Sequence, residues 1–460
     1  MTEAEGEVVE RDEDEYALDP EVVDAILDAV EAGDAARIDE LMEPLHAADI
    51  ADLFEQIGYN DRAALIGLWS RGIDGEILSE LDESIREEVI ELLPHEVLTE
   101  AVRELDSDDV VDLIEDLEEP QQERILGALE DSDRAAVEQS LTYPEYSAGR
   151  LMQREVVTAP DDWTVGQAID FLRNAKELPD QFYHVILIDP RWHPTGYVTL
   201  GKLLSSKRAV PLTDITEDSF RTIDVLEEEG DVAYAFNQYH LISAPVVDAD
   251  DRLVGVITID DAMAVLDEEH EEDILRLAGV GEGSLSDSVV ETTKQRLPWL
   301  AVNLVTAILA SIVIAQFEGV IGRIVALAVL MPIVASMGGN AGTQALTVAV
   351  RAIATRDLTG SNMWRVVRRE ATVGLFNGVI FAVVMGAVGW FWFGSAMIGV
   401  VLAAAMVVNL VVAGLAGILV PVALEKAGVD PALASGAFVT TVTDVVGFFA
   451  FLGLAAVVLL

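Results

Sequence analysis

The sequence predicts a multidomain membrane protein: an all-α N-terminal superhelix of helical hairpins, a tandem α+β pair, a linker helix and a five-helix α transmembrane domain. Three observations predict it. Charge is segregated, with seven basic and six acidic residues in 297–460 against 21 bases and 75 acids in the first 296. The apolar half holds uncharged runs long enough to cross a bilayer. Within the acidic half the hydrophobic period changes near residue 146, from helical throughout to alternating strand and helix.

Composition removes several function classes. There is no cysteine, hence no disulfide scaffold, thiolate zinc site or thiol nucleophile. A net charge of −53 excludes a generic nucleic-acid binder. No residue is assigned a catalytic role, and the chain is not read as an enzyme. Acids abound while lysine occurs only five times, the balance expected of a surface bathed in concentrated salt, where self-repulsion is screened. A halophilic host follows, so acid density alone does not mark a metal site.

Residues 1–19 read as a disordered acidic tail. Residues 20–140 read as short helices, with an internal repeat: 45–69 aligns with 105–129 at an offset of 60, six of 25 positions identical and the apolar pattern shared. Stacked helical hairpins bury their faces this way. Strand-like VVTAP, HVILIDP and GYVTL with a helical run at 164–174 form a first α+β repeat, 146–205, and the pattern recurs in 206–261. The segment SAPVVDADDRLVGVITIDD resembles the second half of a CBS domain. Tandem CBS pairs imply a regulatory module with an adenine-nucleotide cleft. Thr258 and Asp261 hold the ribose-contacting spacing for ATP, whereas the first repeat has Thr199 and Lys202. Residues 262–296 then read as an acidic linker helix running to the first membrane pass.

Uncharged stretches at 297–317 and 324–350, an uncharged 54-residue stretch at 371–424 that must cross twice, and 432–460 with the single charge of Asp444 give five passes in 297–460. Gly394-Ser395, after the aromatic cluster Trp390 to Phe393, is the expected turn at one interface. Arg351, Arg356, Arg365, Arg368 and Arg369 in the connection 351–370, with Lys294, Arg296 and Lys426, share one side. That side is expected to be cytoplasmic. The chain is therefore read as a multi-pass protein of the cell membrane, with a cytoplasmic N-terminus, an outside C-terminus and no signal peptide.

Asp444 is the sharpest chemical signal. A carboxylate in mid-span costs roughly 2.5–3.5 kcal/mol on insertion scales and marks a functional site by default. Thr440 sits one turn away, its hydroxyl able to polarise the path or leave a carbonyl open to water. In the second pass Gly338-Gly339-Asn340 is poor helix-forming sequence, able to bring backbones close or expose carbonyls, and Asn340 adds an uncharged oxygen. With no histidine or cysteine in the spans, an oxygen-lined path suits a hard divalent cation such as Mg²⁺, which keeps much of its water. A two-fold dimer would set two Asp444 carboxylates across one pore.

This order of parts, with MPIVASMGGNAGTQ, RAIATRDL and VTDVVGFF in the membrane half, resembles the MgtE family of magnesium channels. The resemblance covers residues 20–460 and implies a homodimeric Mg²⁺ channel closed by cytoplasmic Mg²⁺, with the second and fifth helices lining the pore and the linker helix acting as a plug. It places the pore acid on Asp444, the glycine-asparagine stretch on Gly338, Gly339 and Asn340, and the carbonyl before the acid on Thr440. It places regulatory acids on Asp108, Asp112, Asp261, Glu269, Glu272 and Asp273. Two further positions expected to be acidic are His240 and Ala264. A cation-coupled secondary transporter for divalent metals and a non-transporting membrane sensor are the alternative readings.

Overall fold

The computed structural model describes residues 18–460, apart from 116, 118, 176, 177, 180 and 281–288, with backbone alone at 83, 84, 291 and 433–435. The expected tail up to residue 17 lies outside the described residues. Its last two positions are not disordered: Leu18 is buried and Asp19 caps the first helix by accepting from the Glu21 amide at 2.9 Å. The chain divides into two compact units, one ending at Glu268 and one starting at Glu269.

From Pro20 to Ser140 the described residues form ten short α-helices and one 3-10 turn. Some of the acid excess starts these helices. Asp34 and Asp74, like Asp19, accept from first-turn amides that have no partner within the helix. The apolar faces converge on one core that includes Phe54, Leu65, Ile85, Leu98 and Ile114. The 60-residue repeat is structural. Arg62 donates to the Phe54 carbonyl at 2.9 Å, and Gln122, 60 positions on, donates to the Ile114 carbonyl at 2.8 Å. In both copies a polar side chain of the second helix satisfies a carbonyl near the end of the first.

Two three-stranded sheets follow: β1 (Thr158–Pro160), β2 (His184–Ile188) and β3 (Pro194–Thr199), then β4 (Ile223–Asp224), β5 (Ser243–Val247) and β6 (Leu253–Thr258). In each sheet the first pair is parallel and the second antiparallel, with a register shift at the same place. His184 and Ser243, equivalent positions of the two repeats, hydrogen-bond to each other, which puts them on the pseudo-two-fold axis. The two repeats exchange flanking segments. Ala148 and Met152 pack in the core of the second repeat, and Gln153 bridges to Val256, while Leu212 and Ile215 belong to the core of the first. Each repeat completes its core with a segment from the start of the other's expected range, because a three-stranded sheet cannot cover its own face.

The helix Ile259–Leu277 starts directly after β6, so the expected border at 261/262 falls inside its first turn. The first membrane helix already begins at Val289, which removes the last residues of the expected linker, and 281–288 lie outside the described residues.

Five helices among the described residues are long and apolar enough to cross a membrane: Thr292–Ala315, Ala326–Ala354, Met363–Phe393, Ala396–Lys426 and Gly436–Val458. Arg365, Arg368 and Arg369, expected in a connection, stand on the first turns of the third helix. Long basic side chains let a helix run past the hydrocarbon edge while their charges stay in water. Gly394 ends that helix with φ 63°. The fourth helix is the most enclosed of the five, with fifteen buried residues, and packs with the second, third and fifth.

Candidate ion path and candidate regulatory sites

A methyl added at Gly342 of the second helix would stand 2.7 Å from Val439 Cγ1 and 3.4 Å from Thr443 Cγ2 of the fifth. Gly338, one turn earlier, and Gly447, one turn later than Thr443, both abut Asn409 of the fourth helix. Contacts thus advance along the fifth helix as they retreat along the second. The two run antiparallel, and Asn340 and Asp444 come to one level. Asp444 is partly buried.

The second helix has two faces. Val334, Gly338, Gly342, Ala345 and Leu346 are buried, while Ser336, Asn340, Thr343, Gln344 and Thr347 form an exposed polar stripe at helical spacing. Asn340 Nδ2 donates to Ser336 Oγ at 3.4 Å. Gly338 is packed tightly, whereas Gly339 faces open space. Thr440 departs from its expected role as an open oxygen. Its hydroxyl donates to the Gly436 and Ala437 carbonyls at 2.9 and 3.1 Å, and its carbonyl accepts from Thr443 Oγ1 at 2.9 Å. In apolar surroundings threonine hydroxyls bond back to their own helix.

Asn409 was not singled out by the sequence. It is fully buried, and its Nδ2 donates to the Val334 carbonyl at 2.8 Å. Its Oδ1 has no hydrogen-bond partner among the described residues. Leaving a buried acceptor unmet costs about 1–3 kcal/mol. A methyl at Gly338 would meet Nδ2 at 2.2 Å, and one at Gly447 would meet it at 2.9 Å. The available signal was a polar amide inside the apolar stretch 371–424, shared there with the exposed Asn377.

In the first unit the helix Ser107–Glu115 packs on the segment Ala148–Leu151 and brings Asp108 and Asp109 within reach of the Asp261 charge. Asp108, 8% exposed, has its carboxyl pushed well above the usual range by burial and by Asp261. Asp109 is pushed up to about 7 by burial, Asp261 and Asp106, and Asp261 to about 6, chiefly by burial. Asp112 stands at the edge of this group: its charge also raises Asp109, while Arg86 of another helix holds it at 2.7 Å. The excess arises at the start of the helix, where Asp106, Asp108 and Asp109 follow one another closely.

In the second unit Glu269 is exposed, Glu272 pairs with Arg276 at 2.6 Å, and the Asp273 carboxyl is raised by burial and then by Asp430. Arg276 also pairs with Asp430 at 3.1 Å. Leu277 packs with Leu346, Val350, Ala432 and Val439, so the last turn of the linker helix sits against the second and fifth helices at one end of the bundle. Among the described residues no three carboxylate or imidazole groups converge closely enough to hold a metal ion. The acids are grouped, not closed into a cage.

Thr258 and Asp261 bond to each other. The Thr258 amide and hydroxyl donate to Asp261 Oδ2 at 3.2 and 2.7 Å, the capping arrangement of a helix start. The cleft beside them, lined by Glu155, Tyr183, His184, Ser243 and Thr258 among others, leaves about 20 Å³, room for one water and far less than the several hundred Å³ of a nucleotide site. His184 is held neutral there, pushed down to about 4 by burial.

An apolar five-helix unit with a polar stripe level with a lone carboxylate, joined to a CBS pair and an acidic helical domain, defines a membrane cation transporter. Residues 331–454 match the family model of the MgtE divalent cation transporters, 45–146 that of the MgtE intracellular N domain, and 148–208 and 215–268 that of the CBS domain. The magnesium transporter MgtE of Thermus thermophilus is 30% identical over 95% of this chain and 98% of its own. That of Enterococcus faecalis is 32% identical over 70% and 71%. A solved cytosolic domain of the Mg²⁺ channel MgtE in complex with ATP covers 53% of this chain and 99% of its own, at 26% identity and TM-score 0.49. The chain belongs to the MgtE family and is a multi-pass membrane Mg²⁺ channel or transporter.

Proposed function

We propose that Mg²⁺ crosses between two copies of this chain, along the polar stripe of the second helix and past Asp444 of the fifth. The observation that carries this reading is the shared level of Asn340 and Asp444 beside exposed Ser336, Thr343 and Thr347. Such a stripe is costly against lipid tails and is satisfied by a water-lined path. Two Asp444 carboxylates match one divalent charge, and amide and hydroxyl groups suit an ion that keeps its water. Thr440 supports the helix from within rather than facing the ion.

Closure is assigned to cytoplasmic Mg²⁺ at two acidic groups, Asp108, Asp109 and Asp261 in the first unit and Glu269, Glu272, Asp273 and Asp430 in the second. Mg²⁺ offsets the mutual repulsion of each group and so favours the state in which its carboxylates are close. The arginines at the ends of the membrane helices support a cytoplasmic N-terminus in the cell membrane. The test is Mg²⁺ uptake into proteoliposomes. Asp444→Asn is expected to insert and dimerise but to lose most Mg²⁺-selective uptake, and full selective uptake would overturn the pore assignment.

A further inference from the structure

Asn409 touches both helices of the proposed path without belonging to its polar stripe. Its amide lies between Gly338 and Gly447, the two residues whose lack of a side chain gives it room. Gly338 is two positions before Asn340, and Gly447 three positions after Asp444. One hydrogen bond, from Nδ2 to the Val334 carbonyl at 2.8 Å, fixes the direction of the amide. Oδ1 is buried between the same helices with no partner among the described residues. An apolar residue of similar size would fill the space without leaving an unmet acceptor. What the amide adds is direction: it sets where the second helix stands relative to the fifth.

We propose that Asn409 is a positioning residue for cation selection. It holds the second and fifth helices at the separation and rotation that place Asn340 and Asp444 for hydrated Mg²⁺. The inference rests on the pore reading above. Helices move as rigid elements, so a shift at this node reaches both residues within one turn. Mg²⁺ binds oxygen at about 2.0–2.1 Å and gives up water reluctantly, whereas Ca²⁺ binds at about 2.3–2.6 Å with flexible geometry. A path loosened by about an ångström therefore loses its discrimination before it loses conduction.

The experiment is separate Mg²⁺ and Ca²⁺ uptake by the full-length protein in proteoliposomes, with Asp444→Asn run in parallel. Asn409→Ala and Asn409→Leu are expected to keep Mg²⁺ uptake while the Mg²⁺-to-Ca²⁺ ratio falls at least about tenfold. Gly338→Ala should lower the ratio likewise, because its methyl displaces the amide. Adding Asn409→Ser to Gly338→Ala relieves the clash and should leave the ratio low. A merely structural residue would lower the uptake of both ions together and leave the ratio alone. A wild-type ratio in Asn409→Leu overturns the proposal. If the Asn409 variants fail to insert, a wild-type ratio in Gly338→Ala overturns it instead. Should Asp444→Asn lose the ratio while Asn409→Ala keeps it, only the Asn409 proposal falls. Should Asp444→Asn keep the ratio, the pore reading falls and takes this proposal with it.

Discussion

Arg276 of the linker helix donates to Asp430 at 3.1 Å, and Asp430 caps the fifth membrane helix by accepting from the Ala432 amide at 2.7 Å. The same guanidinium holds Glu272, and Asp273 lies close enough to Asp430 for each to oppose the other's charge. Arg276 thus occupies the carboxylates that the proposed closing Mg²⁺ would use. Removing one partly screened cation is worth about 1 kcal/mol. Arg276→Gln is therefore expected to lower the Mg²⁺ concentration for half-closure by about fivefold in electrical recordings. A higher concentration would show that Arg276 ties the closed state together instead of competing for it.

The acids between the helix Ser107–Glu115 and the second repeat predict a pH dependence. Asp109 and Asp261 titrate near 7 and 6, and Asp108 is raised as well. Carboxyls raised above their unfolded value stabilise the docked arrangement fully below about pH 4, and that contribution is lost as pH rises through the folded values. Without Mg²⁺, protection of the cytoplasmic half from proteolysis should fall between about pH 5 and 8. With Mg²⁺, which binds the deprotonated acids, the profile should flatten. Asp109→Asn should flatten it without Mg²⁺. An unchanged slope in that variant would remove Asp109 from the group.

Stability of the helical domain rests on Arg62, 4% exposed, which pairs with Glu88 and donates to the Phe54 and Ile57 carbonyls at 2.9 and 3.0 Å. Arg62→Met leaves two buried carbonyls unmet, although Glu88 can turn to water. We expect a loss of about 2–4 kcal/mol in urea unfolding of the cytoplasmic half. Gln122→Leu removes one such bond in the second copy and should cost about 1 kcal/mol. Equal losses would mean that Arg62's bond to Ile57 and its pair with Glu88 add nothing beyond the bond the two copies share.

The sequence made the architecture legible wherever one physical constraint acts along the chain. Five passes follow from apolar stretches with at most one charge, and the CBS pair from a strand-helix alternation that recurs with the same turn. Constraints acting between distant segments were hidden. Nothing local marks Ala148 and Met152 for the second repeat's core, since their partners Val232 and Phe236 lie some 80 residues on. Asn409 lacks any period that would tie it to Gly338 and Gly447. Helical spacing put Asp108 and Asp112 on one face but could not show that Arg86, from another helix, already holds Asp112.

That last difference separates regulatory acids from surface solvation. Asp108 and Asp109 are drawn together with Asp261 at a cost that burial sets, so an ion that relieves it has something to gain. Asp112 is exposed and paired with Arg86. Asp12 and Asp14 belong to the acidic tail outside the described residues. Asp108→Ala with Asp109→Ala is therefore expected to raise about tenfold the Mg²⁺ needed to protect the cytoplasmic half from proteolysis. Asp112→Ala should change it by less than about twofold. Asp12→Ala with Asp14→Ala should leave it unchanged. All four proteins are compared at one high KCl concentration, where the Debye length is about 3 Å at 1 M and only direct contacts survive. Equal shifts from the buried pair and the tail pair would mean that total charge sets the response, and neither acidic group would then be a specific Mg²⁺ site.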